Sequence, residues 1–116
     1  MDQNNLQIHQ EKGAHILGEF LQKNGATNEL INNVIHLISK HEVGGDKNQN
    51  LLKDADSISF LENNADIFLS RFDRLGYANI KEKFDWMYER ISDLKAKEIA
   101  RPMYNKIIEQ LNQRRK

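Results

Sequence analysis

The sequence lacks cysteine altogether, and its 17 basic and 17 acidic residues leave a formal net charge of zero. The absence of Cys excludes disulfides, zinc–thiolate sites and cysteine nucleophiles. The charge balance removes bulk electrostatic attraction to nucleic acid or to an anionic membrane, so we expect neither as a partner. No apolar run approaches the ~18 residues of a membrane-spanning helix and the N-terminus is polar, which predicts a soluble, cytoplasmic protein.

Helix-breaking residues are also scarce, with one Pro and six Gly among 116 residues. Ile and Leu occur twelve times each but Val only twice, and no segment alternates apolar and polar residues with the period of a strand. A chain of this length makes one domain of ordinary size. We therefore predict an all-α fold, a single compact bundle of about five or six helices over residues 1–116.

Apolar residues at intervals of three and four positions locate the predicted helices. Thr27 or Asn28 is placed to cap the second helix, and Gly44-Gly45 separates it from the third. Pro102 falls inside the last segment, where we expect it to kink the helix or split it in two. The predicted helices cover about residues 5–24, 28–41, 50–63, 64–75, 79–91 and 93–112.

Two of these helices carry apolar residues that bear on function. The first has one apolar face, which comprises His9, Gly13, Ile16, Leu17 and Phe20. The third has apolar residues on most of its circumference, namely Leu51, Leu52, Ala55, Ile58, Phe60 and Leu61. A helix that is apolar nearly all round is buried, so we predict that the third helix is central.

Four ionisable residues lie where a helix-bundle core does not normally accommodate them: His9, His41, Asp54 and Asp56. A His on an apolar face is commonly a satisfied core residue, and an Asp in a first helical turn complements the helix dipole, which fits Asp54. Asp56 lies further into the helix, where a buried carboxylate needs a partner or a cation. Imidazole and carboxylate suit divalent transition metals, so a metal site built from these residues is the alternative.

Three segments resemble, in order and approximate spacing, motifs of the HD superfamily of metal-dependent phosphohydrolases. They are residues 9–17 (HQEKGAHIL), 35–46 (IHLISKHEVGGD) and 51–58 (LLKDADSI), with a weaker similarity at 99–104 (IARPMY). The resemblance implies that Asp56 is a metal ligand and that His9 and His41 are auxiliary ligands. It also implies a divalent cofactor such as Mn, Fe, Ni or Mg, and a phosphorylated small molecule or nucleotide as substrate.

The sequence departs from this family pattern at its defining feature. The His-Asp doublet of an earlier helix, and the His that precedes it, have no counterpart in the chain. The resemblance therefore implies an HD-like domain that is incomplete at its N-terminal side and inactive alone. The alternative is a non-catalytic helical interaction module. In the full fold the absent helices would cover one side of the third helix, which predicts a homodimer or a partner chain on that open face. The alternative is that the C-terminal helices fold back and cover this face themselves.

Overall fold

The structure, a computed structural model, describes residues 3–115. Within that range the regular structure is entirely helical and no strand is present, so the predicted all-α fold is confirmed. The helices among these described residues number seven, slightly more than predicted. They are α1 (Gln3–Lys23), α2 (Asn28–Ile38), α3 (Lys47–Asn63), α4 (Ala65–Ser70), α5 (Phe72–Leu75), α6 (Tyr77–Glu89) and α7 (Leu94–Arg115).

Contacts between residues divide the chain into two compact units, Met1–Lys53 and Asp54–Lys116. The first unit contains α1 and α2, the second contains α4 to α7, and α3 begins in the first and ends in the second. The prediction of a single domain over residues 1–116 stays a prediction. None of the helices in the described part of the chain is long and apolar enough to cross a membrane.

In the first unit, α1 packs against α2. The buried residues of α1 recur at four-residue intervals and so share one face; they are Leu6, Gln10, Ala14 and Gly18. A methyl group on Gly18 would lie only 2.9 Å from Cδ1 of Ile35, so glycine permits a close approach of the two helices. Of the two residues predicted to cap α2, Thr27 and Asn28, the cap is Thr27, because its hydroxyl accepts a hydrogen bond of 3.2 Å from the N–H of Leu30.

Side chains at the start of α3 hold the segment that joins it to α2. Asp46 Oδ1 accepts a hydrogen bond of 2.8 Å from the N–H of Gln49, and Gln49 Oε1 accepts one of 2.9 Å from the N–H of Asp46. This reciprocal pairing has the pattern of a capping box. The apolar pattern predicted that α3 begins near Asn50. The capping box explains why the helix begins earlier, at Lys47. Gln49 Nε2 also donates a hydrogen bond of 2.7 Å to the carbonyl of His36.

The second unit is built around an apolar cluster in which Ile80 and Phe84 are fully buried. The ring of Phe84 lies 5.1 Å from that of Phe60 and 5.6 Å from that of Phe68, measured between centroids. These tilted and edge-on arrangements are the ones that aromatic pairs favour. The other buried members of the cluster are Leu61, Leu69, Ile91, Ala100, Ile107 and Leu111.

α3 is less completely buried than its composition predicted. Leu51 is 68% exposed, whereas Leu61 is only 2% exposed. The buried residues in the middle of the helix are instead polar, namely Lys53, Asp54 and Ser57. The prediction of a helix buried on most of its circumference is therefore wrong for the first half of α3. Polar side chains with hydrogen-bond partners occupy the buried positions up to the middle of the helix.

α7 is continuous through Pro102, so of the two predicted effects of this residue the split of the last helix is wrong, and the kink stays a prediction. Proline removes one hydrogen bond of the helix ladder and costs about 3 kcal/mol in a helix interior. Pro102 itself is exposed, while Ala100 and Ile107 are buried before and after it. Because buried residues lie on both sides of the proline, packing offsets the lost hydrogen bond and keeps the helix whole.

Candidate functional site

Asp54 is buried in α3, and its carboxylate accepts hydrogen bonds from the segment that connects α6 to α7. It accepts hydrogen bonds of 2.9 Å from the N–H groups of Ser92 and Asp93, and of 3.0 and 3.2 Å from the hydroxyl of Ser92. Both carboxylate oxygens therefore face hydrogen-bond donors. Asp54 was predicted to complement the dipole of its own helix. It instead fixes the chain where α7 begins.

Asp56 is more exposed than predicted and its partner is an arginine. Its Oδ2 accepts a hydrogen bond of 2.6 Å from Nη2 of Arg90. The Asp56 side chain is 50% exposed, whereas that of Arg90 is only 8% exposed. Arg90 also donates from Nε to Oγ of Ser57 at 2.7 Å, and its guanidinium lies 4.7 Å from the ring centre of Trp86. The cation that this carboxylate requires is thus supplied by the protein.

The two predicted histidine ligands lie in the first unit. His9 is exposed on α1, and His41 is half-buried in the segment that follows α2. Nδ1 of His41 lies 2.7 Å from the carbonyl oxygen of Ile38, a contact that requires Nδ1 to carry the proton. Next to His9, the side-chain oxygen of Gln10 accepts a hydrogen bond of 2.9 Å from the N–H of Glu42.

The predicted ligands therefore divide between the units, with His9 and His41 in Met1–Lys53 and Asp54 and Asp56 in Asp54–Lys116. From this set, neither unit alone supplies the three protein ligands of a catalytic metal site. Among residues 3–115, no group of three or more His, Cys, Asp or Glu residues is arranged to hold a metal ion. Donors engage both oxygens of Asp54. The assignment of the four residues as metal ligands stays a prediction.

A contact between a histidine and an aspartate, which the sequence analysis missed, connects α2 to the start of α3. Nε2 of His36 contacts Oδ2 of Asp46, and both side chains are about half exposed. The N–H of Gln49, and then His36, hold the pKa of Asp46 below its usual value. The Asp-x-x-Gln spacing was the available signal, because a capping box orients the Asp46 carboxylate at the helix start. This pair stabilises the connection between the helices.

A second ionisable cluster lies between α6 and α7, around Tyr104. The Tyr104 hydroxyl donates a hydrogen bond to Asp85, whose other oxygen accepts one of 2.6 Å from Nζ of Lys81. Burial and then the hydrogen bond to Asp85 raise the pKa of Tyr104, while Asp85 raises the pKa of Lys81. The Tyr104 ring stacks on that of Tyr88, with centroids 4.4 Å apart. A phenol held in its protonated form is neither a base nor a nucleophile at neutral pH, so this cluster joins two helices.

A cleft of about 560 Å³ lies between α4 and the end of α7. It is lined by Asp66, Leu69, Gln110, Gln113 and Arg114. Ligand pockets are usually apolar with a few polar groups, whereas most of these lining residues are polar. None of the predicted metal ligands contributes to the cleft.

Large apolar side chains are exposed along α1. Ile16 is 56% exposed and Phe20 is 60% exposed. They belong to the apolar face that the sequence predicts for the first helix, but α1 buries a different face, which contains Ala14 and Gly18. Small residues allow the closer approach to α2, so the larger apolar residues remain outside. We call His9, Gly13, Ile16 and Phe20 the α1 stripe.

Comparisons of the chain with protein-family models, with curated proteins and with solved structures give no match. The resemblance to the HD superfamily therefore stays a prediction from the three sequence segments. The functional argument depends on the contacts and exposure of the chain's own residues.

Proposed function

We propose that this chain is a non-catalytic helical interaction module that binds a protein surface through the α1 stripe. The observation that supports the proposal is the exposure of Ile16 and Phe20, 56% and 60%, on a different side of α1 from its buried face. Burial of apolar surface contributes about 25 cal/mol per Å², so neighbouring exposed apolar side chains favour association. Contiguous apolar patches on soluble proteins commonly mark such interaction sites.

The competing proposal is an HD-like phosphohydrolase that lacks part of its site. Metal-dependent phosphoester hydrolysis needs an ion that activates water and neutralises charge on the phosphoryl oxygens. Two of the residues predicted to hold that ion have other partners: Asp54 accepts hydrogen bonds from Ser92 and Asp93, and Asp56 pairs with Arg90. These contacts favour a module that retains structural carboxylates over an enzyme. The homodimer and the cytoplasmic location also stay predictions.

Thermal unfolding tests the choice between module and enzyme. The wild type and the Asp56→Asn variant are unfolded in EDTA and then with Mn²⁺, Ni²⁺ or Mg²⁺. A ligand at ~100 times its dissociation constant stabilises by about 2.7 kcal/mol, which raises the Tm by several degrees. The module predicts no metal-dependent rise in either protein, and no divalent-dependent hydrolysis of p-nitrophenyl phosphate. A rise in the wild type that the variant lacks would establish Asp56 as a ligand and favour the enzyme.

A binding experiment tests the proposed surface. The immobilised wild type is compared with a variant in which Ile16→Asp and Phe20→Asp are combined, and the bound proteins are identified. The control is Ile99→Asp, which adds a charge at an isoleucine of α7 that is 52% exposed. We expect the wild type and the control to retain the same protein, whether a second copy or another chain, and the double variant to lose it. Equal retention by all three would refute a role for the α1 stripe.

A further inference from the structure

The α1 stripe follows the seven-residue pattern of a coiled-coil seam. His9, Gly13, Ile16 and Phe20 are separated by four, three and four positions, the spacing of alternating d and a positions. In this register Gly13 and Phe20 occupy a positions, and His9 and Ile16 occupy d positions. The pattern extends from His9 to Phe20, about 17 Å along α1, which has 21 residues.

Two oppositely charged residues flank the stripe on the same side. Lys12 and Glu19 precede the two a positions, Gly13 and Phe20, and both are therefore g positions. Both side chains are exposed. Glu19 also contacts His15 of its own helix at 3.2 Å, and the Glu19 side chain remains 57% exposed. Residues at g positions lie at the edge of a coiled coil, where their charges choose the partner and its orientation.

This charge pattern is self-complementary in one orientation only. When two copies of α1 run antiparallel, g positions face g positions, so Lys12 of each copy lies near Glu19 of the other. When the copies run parallel, g positions face e positions, which here are Leu17 and Asn24 and carry no charge. A two-fold symmetric interface repeats each contact, so the antiparallel dimer gains the Lys12–Glu19 contact twice.

The sizes of the side chains agree with the antiparallel register. Pairing a positions with d positions places Gly13 opposite Ile16, and Phe20 opposite His9, each twice by symmetry. Gly13 has no heavy atom within 4 Å of the position a Cβ would take, so space is available there for a partner side chain. A small residue opposite a branched one, and two rings opposite each other, fill such layers without steric conflict.

We propose that the α1 stripe pairs with the α1 stripe of a second copy of this chain in an antiparallel, two-fold symmetric dimer. The inference depends on the proposed function, since it names the partner of the same surface. A pair of single helices buries a modest area, so the dimer is concentration-dependent. Lys12 and Glu19 set its orientation, and Ile16 and Phe20 supply its apolar contact.

Sedimentation of charge-reversed variants tests this dimer. We expect the wild type to sediment as a dimer at high micromolar concentration, and K12E and E19K each to raise the dissociation constant at least tenfold. The combined K12E/E19K variant restores the opposite charges and therefore the wild-type constant. An equimolar mixture of the two single variants forms a heterodimer, because one chain then carries two acidic g positions and the other two basic ones. Both positions are exposed, so we expect each variant to fold. Circular dichroism verifies this.

A distance measurement tests the orientation. The chain has no Cys, so Gln22→Cys introduces a unique attachment point for a spin label on exposed α1 surface. Antiparallel pairing places the two labelled positions about 22 Å apart along the axis, whereas parallel pairing places them at the same level, about 10 Å apart. The shorter distance, or failure of K12E/E19K to recover the association, overturns the inference.

The outcomes separate this inference from the proposed function. A wild type that remains monomeric at several hundred micromolar overturns the homodimer. The interaction module still stands in that case if the immobilised wild type retains another protein that the Ile16→Asp/Phe20→Asp variant loses. If the wild type is monomeric and no protein distinguishes it from that variant, both proposals are wrong.

Discussion

Replacement of Asp54 by Ala is expected to destabilise the second unit more than the same change at Asp56. The Asp54 residue is 5% exposed and accepts hydrogen bonds from two backbone N–H groups and one hydroxyl. Hydrogen bonds to a charged group contribute about 1.5–3 kcal/mol each. Ser92 and Asp93 are exposed, so water replaces part of what is lost. We expect a net cost of about 2–4 kcal/mol, a large share of the stability of a domain this size.

Asp56→Ala is the matched control, because it removes the same charge from the same helix two residues later. The Asp56 side chain is 50% exposed and pairs with Arg90, and Arg90 keeps its contacts with Ser57 and Trp86 when Asp56 is replaced. An exposed ion pair contributes about 0.2–1 kcal/mol, but the Arg90 side chain is only 8% exposed, so we expect Asp56→Ala to cost about 1–2 kcal/mol. Urea unfolding in EDTA measures both variants, so that metal plays no part. Asp54→Ala with a free energy of unfolding equal to or above that of Asp56→Ala would refute the structural role of Asp54.

Three further predictions concern helix packing and pH. In Gly18→Ala the new methyl group meets Cδ1 of Ile35 at 2.9 Å, an overpacking that the gain in helix propensity of about 1 kcal/mol partly offsets. We expect a net cost of about 0–2 kcal/mol in thermal unfolding, and a raised Tm would contradict the close approach of α1 and α2. The folded-state pKa of Asp46 lies below its usual value of 3.8, so its contribution to stability is present above that pH and is lost as the pH falls through the folded pKa. The stability gap between the wild type and Asp46→Asn should therefore narrow in acid, and a gap that widens would refute this sign. Tyr104 has a raised pKa, so its contribution is present below the usual value of 10.0 and is lost as the pH rises further. Absorbance of tyrosinate at alkaline pH should be nearly equal in the wild type and Tyr104→Phe until the protein unfolds, whereas early ionisation of Tyr104 would show as a difference.

Local signals in the sequence predicted most of the secondary structure. Three- and four-residue apolar spacing located the helices, and the Thr27 cap was correctly identified, because both depend on neighbouring residues along the chain. The start of α3 was misplaced because the Asp46–Gln49 capping box extends a helix beyond its apolar residues. The split at Pro102 was wrong because burial of Ala100 and Ile107 outweighs a local preference.

The packing of α1 was harder to predict, because an apolar face in the sequence does not identify the surface that packs against it. His9, Gly13, Ile16 and Phe20 form the face that the helical period favours for burial, yet Ile16 and Phe20 are exposed. Packing on α2 uses Ala14 and Gly18, which a hydrophobicity pattern ranks below Ile and Phe. A pattern of this kind predicts that a surface will be covered. The cover can be another helix of the chain or another molecule, and the exposed stripe favours the second.

The candidate site shows the same limit for charged residues. The sequence predicted that Asp56 needs a partner or a cation, because a buried carboxylate requires one. The Asp56 side chain is 50% exposed, so the requirement is weaker than predicted, and Arg90 is the partner. The sequence did not identify Arg90, since it lies 34 residues further along the chain and no local spacing connects the two. A metal ion and a guanidinium satisfy the same electrostatic requirement, but only the metal leaves an open position for water or substrate. The Asp56–Arg90 pair therefore accounts for this carboxylate without a metal ion, and a role for Asp56 as a metal ligand stays a prediction.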